Sequence, residues 1–311
     1  MSRPWRRLQR DPVAWLAGGL LVAIVLGAAL ADVLAPAGPV AGDLARRLLP
    51  PGGGHLFGTD EQGRDVLART LHGARLSLAV GLGARTLSVL LGGTLGFLAG
   101  FRGGWLDALV MRVADVFFAF PSLLLLIGIT AALEPGLGVA AAAIGVVGWA
   151  EVARLVRAET LRVRELDYVA AARALGVRER RILLRHVVPN CASPLLVSFT
   201  LGVATTMLAE ASLSFLGLGA QPPTASWGSM VSSGKDFLRA APWVALFPGL
   251  FLGAAVLSLN LLGDALRDAL DPRSVTAPGR RPRRAAGPGE GLAAGVRRRE
   301  SPGPTAAEEA R

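Results

Sequence analysis

The 311-residue chain is 52% hydrophobic and only 18% charged, with a mean hydropathy of +0.47. Soluble domains carry about 25% charged residues, so this composition excludes an ordinary water-soluble protein. The formal net charge is +10, and the 33 basic residues include a single lysine, Lys235. The basic residues lie at the ends of apolar runs and near the C-terminus, without a nucleic-acid-binding motif. We therefore expect them to contact membrane lipid and not nucleic acid.

Six apolar runs have lengths close to the roughly 20 residues that cross a hydrocarbon core of about 30 Å. They predict an all-α membrane protein with six transmembrane helices at 13–34, 76–101, 109–133, 138–157, 194–218 and 243–266. Pro121, Pro248 and the glycines of the second run perturb helices. Each fits ordinary packing between spans, and the two prolines also fit gating hinges.

The distribution of arginine predicts the orientation of the chain in the membrane. Four arginines precede the first run, which assigns the N-terminus to the cytoplasm. Six spans then place both termini inside, together with the stretch 154–185, which carries nine arginines. The segment 36–75 disagrees, because it holds five arginines and should lie outside. We predict a multi-pass protein of the cell membrane with both termini cytoplasmic.

The same pattern predicts the organisation of the chain. A cytoplasmic segment at 1–12 precedes the first span and an extracytoplasmic loop at 13–74, and a transmembrane domain follows at 75–270. Residues 272–311 contain six prolines, six glycines and nine arginines. Because such a segment buries too little apolar surface to offset its ordering entropy, 271–311 is predicted to be a disordered, basic cytoplasmic tail.

The sequence lacks the motifs that catalysis or ATP binding would need. A phosphate-binding loop has the pattern G-x-x-x-x-G-K-[ST], but the only lysine occurs in "WGSMVSSGKD", where Asp236 stands in place of the hydroxyl residue. The three histidines are far apart and have no acidic neighbours at metal-ligand spacing. We expect no catalytic residues, no metal site and no cofactor bound by this chain.

The stretch "AARALGVRERRILLRHVVPN" (171–190) places five arginines between two apolar runs. It reads as two short helices, with Gly176 as a left-handed C-terminal cap of the first and Pro189 as the end of the second. The small residues and the corner from Leu175 to Val177 suit a groove on another protein. The alternative is a solvated loop whose arginines only set the membrane topology.

This stretch resembles the EAA loop of ABC-importer permeases, written EAA-x3-G-x9-I-x-L-P. Ala170 stands at the family's Glu position and His186 at its Ile position. The resemblance implies cytoplasmic coupling helices, within a coupling loop at 158–193, that sit in a groove of a separate ATPase subunit. The implied coupling residues are Ala171, Ala172, Leu175, Gly176, Val177, Arg178, His186 and Pro189.

Three further stretches, "FGTDEQGRDVLARTLHGARLSLAVG" (57–81), "AEASLSFLGLGAQPPTASWGSM" (209–230) and "PGLFLGAAVLSLNLLGDALRDALDPR" (248–273), are similar to the C-type permease subunit of dipeptide, oligopeptide and nickel importers. The resemblance covers about residues 10–273 and implies the type I ABC importer permease fold. It also implies a second permease, two ATPase subunits that hold ATP and Mg²⁺, and an extracytoplasmic solute-binding protein. The expected function is half of the translocation path for a peptide or a related small solute.

Three residues are candidates for the translocation path: Glu210, Pro121 and Asn260. An ionisable group at membrane depth points to an aqueous cavity or to the bundle interior, so Glu210 either lines the path or bonds to a neighbouring helix. The rival to an ATP-driven importer is a secondary transporter driven by an ion gradient. That class would require a relay of intramembrane acids or histidines and an inverted repeat.

Two local pairings are also predicted. Thr59 and Gln62 have the spacing of a capping box, which would start a short helix before the second span; contact with the binding protein is the alternative role. Arg112 and Asp115 are i,i+3 neighbours in the third span and are predicted to pair with each other.

Overall fold

A computed structural model describes residues 11–270, so the predicted cytoplasmic segment 1–12 is described only at its end, and the predicted tail 271–311 lies outside the described residues. The described chain contains α-helices, short helical turns and isolated β-bridges, and no strand. The helices are α1 Pro12–Ala29, α2 Ala31–Leu34, α3 Val66–Arg102, α4 Gly104–Phe118, α5 Ser122–Ala132, α6 Leu137–Val147, α7 Trp149–Arg164, α8 Asp167–Ala174, α9 Glu179–Ile182, α10 Val188–Phe215, α11 Trp227–Gly234 and α12 Trp243–Leu270. There are 3₁₀ turns at Leu44–Arg46 and Lys235–Phe237, and a π-helical turn at Leu183–Val187.

Within residues 11–270, five helices are long and apolar enough to cross a membrane, and a bent pair makes a sixth candidate. The five are Pro12–Ala29, Val66–Arg102, Leu137–Arg164, Glu179–Phe215 and Trp243–Leu270. They confirm the predicted all-α membrane fold, although the helix that contains the predicted second span begins ten residues earlier, at Val66. The predicted third span at 109–133 is broken at Pro121, one of the two prolines predicted to perturb helices. Helices α4 and α5 meet at 88° across a break that contains Pro121.

The most extensive helix contact in the described bundle is between α3 and α7, where three glycines of α3 repeat every fourth residue. A Cβ atom on Gly96 would lie 2.6 Å from the carbonyl oxygen of Ala153, and one on Gly100 would lie 2.8 Å from Cβ of Thr160. Gly92 meets the backbone of Trp149 in the same way. Small residues at i, i+4 let membrane helices approach closely, so these three glycines serve helix packing.

Helix α3 begins differently from the sequence prediction. Its N-cap is Asp65, whose carboxylate accepts a hydrogen bond from the Ala68 amide at 2.8 Å. The predicted capping box at Thr59 and Gln62 is wrong, because the Thr59 hydroxyl is used within the loop. It donates to the Arg46 carbonyl at 2.5 Å and accepts from the amide of residue 49 at 2.8 Å. Thr59 therefore fastens the loop that precedes α3.

The arginines of the segment 36–75, which disagree with the topology rule, mostly have structural partners. Asp60 is buried and accepts a hydrogen bond from Nε of Arg64 at 2.7 Å, and its carboxylate lies 3.3 Å from Nε of Arg69. Arg75 pairs with Asp32 at 2.8 Å and donates to carbonyl oxygens at the end of α1. Charges engaged in this way give the loop its shape and are not free to contact lipid headgroups.

Candidate functional site

The arginine-rich stretch forms an elbow, which we define as α8, the turn 175–178 and α9. Helix α8 follows α7 after two residues, and α9 runs through the π-helical turn into α10, so that Glu179–Phe215 is one 37-residue helix. The prediction that Pro189 ends the second helix is wrong. Pro189 lies in the first turn of α10, directly after the π-helical turn. Within a continuous membrane helix, a local π-helical turn can re-satisfy the backbone groups that a proline frees.

The turn of the elbow is a complete Schellman motif, as the sequence predicted for Gly176. Gly176 has φ +75°, its amide donates to the Arg173 carbonyl at 3.0 Å, and the Val177 amide donates to the Ala172 carbonyl at 3.1 Å. These are the two bonds that define the motif, and Ala172 and Val177 both pack against the apolar cluster beneath the turn. A left-handed φ favours glycine, so Gly176 allows the chain to turn between α8 and α9.

The inner face of the elbow is anchored in the bundle. An apolar cluster joins α7, both arms of the elbow and the start of α10, and its fully buried members are Val163, Val169, Ile182, Val187 and Cys191. Phe97 and Phe101 at the end of α3 pack against this cluster. The elbow is therefore fixed to three spans and is not a solvated loop.

The outer face of the elbow carries most of the predicted coupling residues. Leu175 projects at the corner with 84% of its surface exposed, although it is a large apolar residue. A groove of about 850 Å³ is lined by five of the eight predicted residues, Leu175, Gly176, Val177, Arg178 and Pro189, together with further arginines. An exposed apolar tip within a basic rim is a surface suited to contact with another protein.

The other three predicted coupling residues lie around this tip. Ala171 is exposed on α8, and Ala172 is half-buried against the anchoring cluster. His186 is half-buried in the π-helical turn, with its ring 6.1 Å from that of Tyr168. The structure thus places six of the eight residues in the elbow, with His186 and Pro189 directly after it in the π-helical turn and α10. Their role in coupling stays a prediction.

Glu210 lies in the interior of the bundle. Its side chain is fully buried, and its carboxylate accepts hydrogen bonds from Ser77 of α3 at 3.1 Å and from Ser214 at 2.7 Å. Ser77 also accepts from the amide of Trp227, which brings α11 into the same network. The bond to a neighbouring helix is present. A role of Glu210 in the translocation path stays a prediction.

The other two predicted path residues lie apart from Glu210. Pro121 is exposed at the break between α4 and α5, and Asn260 is half-buried on α12. Helix α12 runs without interruption through Pro248, so the chain bends at Pro121 and not there. No two of the three predicted path residues form a hydrogen bond among the described residues.

Several charges in the spans were missed by the sequence reasoning. Asp115 pairs with Arg154 of α7 at 2.7 Å, so its predicted pairing with Arg112 is wrong. Arg85 of α3 is almost fully buried and donates to both the carbonyl and the hydroxyl of Ser198 at 2.7 Å. The available signal was the position of Arg85 and Arg154 inside apolar runs, where a charge needs a specific environment.

The fold defines a polytopic helical membrane protein with an exposed, arginine-rich elbow at one end of its spans. Residues 92–275 match the family model of the binding-protein-dependent transport system inner membrane component, and residues 1–51 match that of the N-terminal transmembrane domain of oligopeptide transport permease C. The chain belongs to this family of permeases.

Curated relatives match most of the chain. The chain is 45% identical over 268 residues to the di/tripeptide transport system permease protein DppC of Pseudomonas aeruginosa, covering 84% of this chain and 88% of the relative. It is 42% identical to the dipeptide transport system permease protein DppC of Alkalihalophilus pseudofirmus (87% and 90%). It is 41% identical to the glutathione transport system permease protein GsiD of Pectobacterium atrosepticum (86% and 90%).

Proposed function

We propose that this chain is a permease subunit of an ATP-driven importer for dipeptides, oligopeptides or a related small solute. It pairs with a second, different permease, receives its cargo from an extracytoplasmic binding protein and is driven by two cytoplasmic ATPase subunits. The observation that carries the proposal is the elbow, whose inner face is buried in the bundle while Leu175 projects from its corner. The relatives named as dipeptide, di/tripeptide and glutathione transport permeases support the substrate class.

The connections of the elbow supply the mechanism. A force on the corner reaches α7 through α8 and reaches α10 through α9, because only two residues and a π-helical turn intervene. Closure of the ATPase subunits would therefore move two spans together. Such a switch needs the ATPases to bind one arrangement of the spans more tightly than the other. The arginines of the groove favour an acidic rim on the ATPase surface.

ATP and Mg²⁺ belong to the partner subunits in this proposal, and the chain itself is a translocase component without an ATPase site. Both termini and the elbow face the cytoplasm, while the segment 36–65 and α11 face outward. The engaged arginines of the outer segment are consistent with this orientation. A secondary transporter driven by an ion gradient is the rival, and it would transport without any ATPase subunit.

Two single-cysteine variants test the orientation and the contact together. Cys191 is buried, and its replacement by alanine gives a background for Leu175→Cys and for Leu56→Cys, another exposed leucine, in the outer segment. We expect an impermeant thiol reagent added to intact cells to modify Leu56→Cys only. We expect Leu175→Cys to cross-link to an ATPase subunit in membranes.

Reconstitution decides between the importer and its rival. Proteoliposomes that contain both permeases, the ATPases and the binding protein should accumulate peptide only when ATP is supplied to the ATPase side. Accumulation driven by this chain under an ion gradient alone would overturn the proposal, as would labelling of Leu175→Cys from outside.

A further inference from the structure

One side of α4 and α7 carries charges at membrane depth. At about 1.5 Å per residue, Glu151 lies about 21 Å along the span from Leu137, within a hydrocarbon core of about 30 Å. Helix α4 runs antiparallel beside α7, because Asp107 pairs with Arg157 and Asp115 pairs with Arg154. The Asp115–Arg154 pair therefore lies near Glu151 in the inner half of the span.

These charged groups are open on the surface of the chain. The side chains of Arg154 and Asp115 are 51% and 53% exposed, and the guanidinium carbon of Arg154 lies 4.0 Å from the centroid of the Phe118 ring. Glu151 is one turn before Arg154, which places both on the same side of α7. Glu151 is exposed and has no hydrogen bond or ion pair to any residue from 11 to 270.

The chain breaks beside this charged face. Helix α4 ends at Phe118, and after a turn of 88° α5 begins at Ser122. Phe118 is 47% exposed and Phe120 is 56% exposed. Backbone that leaves the helix at membrane depth occurs only where it is buried in protein or lines a water-filled cavity. A charge that faced lipid there would cost about 2.5–3.5 kcal/mol, so this face meets water or protein.

Behind the face lies a second unusual charge, Arg85 of α3. Its guanidinium is held by Ser198, and its Nε atom has no hydrogen-bond partner among the described residues. The carboxylate of Glu151 acts on Arg85 electrostatically. Asp115 is neutralised by Arg154, so on this face of α4 and α7 the exposed carboxylate without a hydrogen bond or ion pair to residues 11–270 is that of Glu151.

We propose that Asp115, Phe118, Glu151 and Arg154 line the solute path, and that Glu151 receives the positively charged amino group of a passing solute. The inference rests on the proposed function and adds to it a specific site and a substrate class, namely solutes with a free ammonium group. An exposed carboxylate at membrane depth, without a hydrogen bond or ion pair to residues 11–270, is suited to such a group. The ring of Phe118 offers an apolar surface to side chains of the solute.

Cysteine accessibility tests whether this face is wet. In the Cys191→Ala background, Glu151→Cys is compared with Leu257→Cys, an exposed apolar position that lies equally far along its own span from Trp243. We expect a water-soluble thiol reagent to modify Glu151→Cys in the assembled importer and not Leu257→Cys. Transported peptide should slow the modification. An unreactive Glu151→Cys would overturn the proposal.

Uptake by the reconstituted importer tests the role of the charge. We expect Glu151→Gln to reduce the uptake of a peptide with a free amino group about tenfold, as for loss of one charge-assisted hydrogen bond. Glu151→Asp should restore part of it. The control is Glu134→Gln, at an exposed carboxylate in the loop between α5 and α6, which should leave uptake unchanged.

The remaining outcomes are also informative. Unchanged uptake in Glu151→Gln overturns the proposal. So does loss of the second permease from the purified Glu151→Gln complex, because the carboxylate would then be a contact between subunits. If the unaltered importer transports without ATP, the proposed function fails, and the thiol-labelling result still decides whether this face lines a path.

Discussion

Nε of Arg173, on the first arm of the elbow, lies 2.7 Å from the Glu179 carboxylate on the second arm, and a further guanidinium nitrogen lies 3.3 Å from its other oxygen. The bidentate pair spans the turn at Gly176 and links α8 to α9. The hydrogen bond to Glu179 raises the pKa of the Arg173 guanidinium. Three features thus define one corner: a left-handed glycine, an apolar cluster beneath it and an ion pair across it.

The ion pair should contribute little to stability, because both side chains are largely exposed. Exposed pairs contribute about 0.2–1 kcal/mol and are screened by salt. We expect a double-mutant cycle with Arg173→Ala and Glu179→Ala to give a coupling energy below about 1 kcal/mol, measured by thermal unfolding of the purified permease. A coupling energy above about 2 kcal/mol that persists in high salt would contradict the exposed geometry.

The conformation of Gly176 makes a sharper prediction. A Cβ atom at this position would meet nothing within 4 Å, so a substitution there acts through backbone strain alone. A left-handed conformation costs an ordinary residue about 1–2 kcal/mol and costs Asn less. We expect Gly176→Val to reduce ATPase co-purification and uptake, and Gly176→Asn to retain both. Equal behaviour of the two variants would show that the left-handed corner is not required for coupling.

Local rules predicted the elbow well in one part and poorly in another. The cap at Gly176 depends on hydrogen bonds within six residues, so the local sequence is enough to predict it. The end predicted at Pro189 fails because a π-helical turn immediately precedes it and lets the helix continue. That turn packs into the cluster with Val163, so its cause is tertiary and lies outside the local pattern.

Charge partners were the least predictable feature of the spans. Spacing along one helix favoured Arg112 as the partner of Asp115, whereas the structure brings in Arg154 from 39 residues away. Thr59 failed in the same way, since its hydroxyl bonds to loop backbone rather than to the helix. Apolar runs locate the spans because every span crosses the same hydrocarbon core. The partner of a polar group, in contrast, depends on which helices pack together.

The buried carboxylate of Asp60 should be critical for the outer segment. It accepts from two backbone amides and faces Arg64 and Arg69, whose side chains are also buried. Breaking a buried ion pair costs about 3–5 kcal/mol. We expect Asp60→Asn to destabilise the permease by that order, measured by thermal unfolding. Asp43→Asn is the control, because its carboxylate is exposed beside Arg46, and it should shift stability by less than about 1 kcal/mol.

Two substitutions at Glu210 separate its possible roles. If the residue only joins α3 to α10, Glu210→Gln should keep uptake within about threefold, because the amide oxygen still accepts from a serine. Glu210→Leu should lower stability, because it leaves Ser77 and Ser214 without this acceptor. Uptake and thermal unfolding are measured together. Loss of uptake in Glu210→Gln with unchanged stability would instead favour a role in the translocation path.

The glycines of α3 that face α7 allow a prediction about the direction in which stability changes. At Gly96 a methyl group would lie 2.6 Å from the carbonyl oxygen of Ala153 on α7, whereas at Gly93 it would meet nothing within 4 Å. Overpacking costs about 1–3 kcal/mol, and replacing glycine by alanine in an open helical position gains up to about 1 kcal/mol.

We therefore expect Gly96→Ala to lower the midpoint of thermal unfolding of the purified permease, and Gly93→Ala to leave it unchanged or raise it. The two positions are three residues apart on the same helix, so helix propensity and membrane depth are matched. The remaining difference is the distance to α7. If both variants shift stability in the same direction, the contact between α3 and α7 is looser than 2.6 Å. The interface between α3 and α7 would then accommodate an extra methyl group.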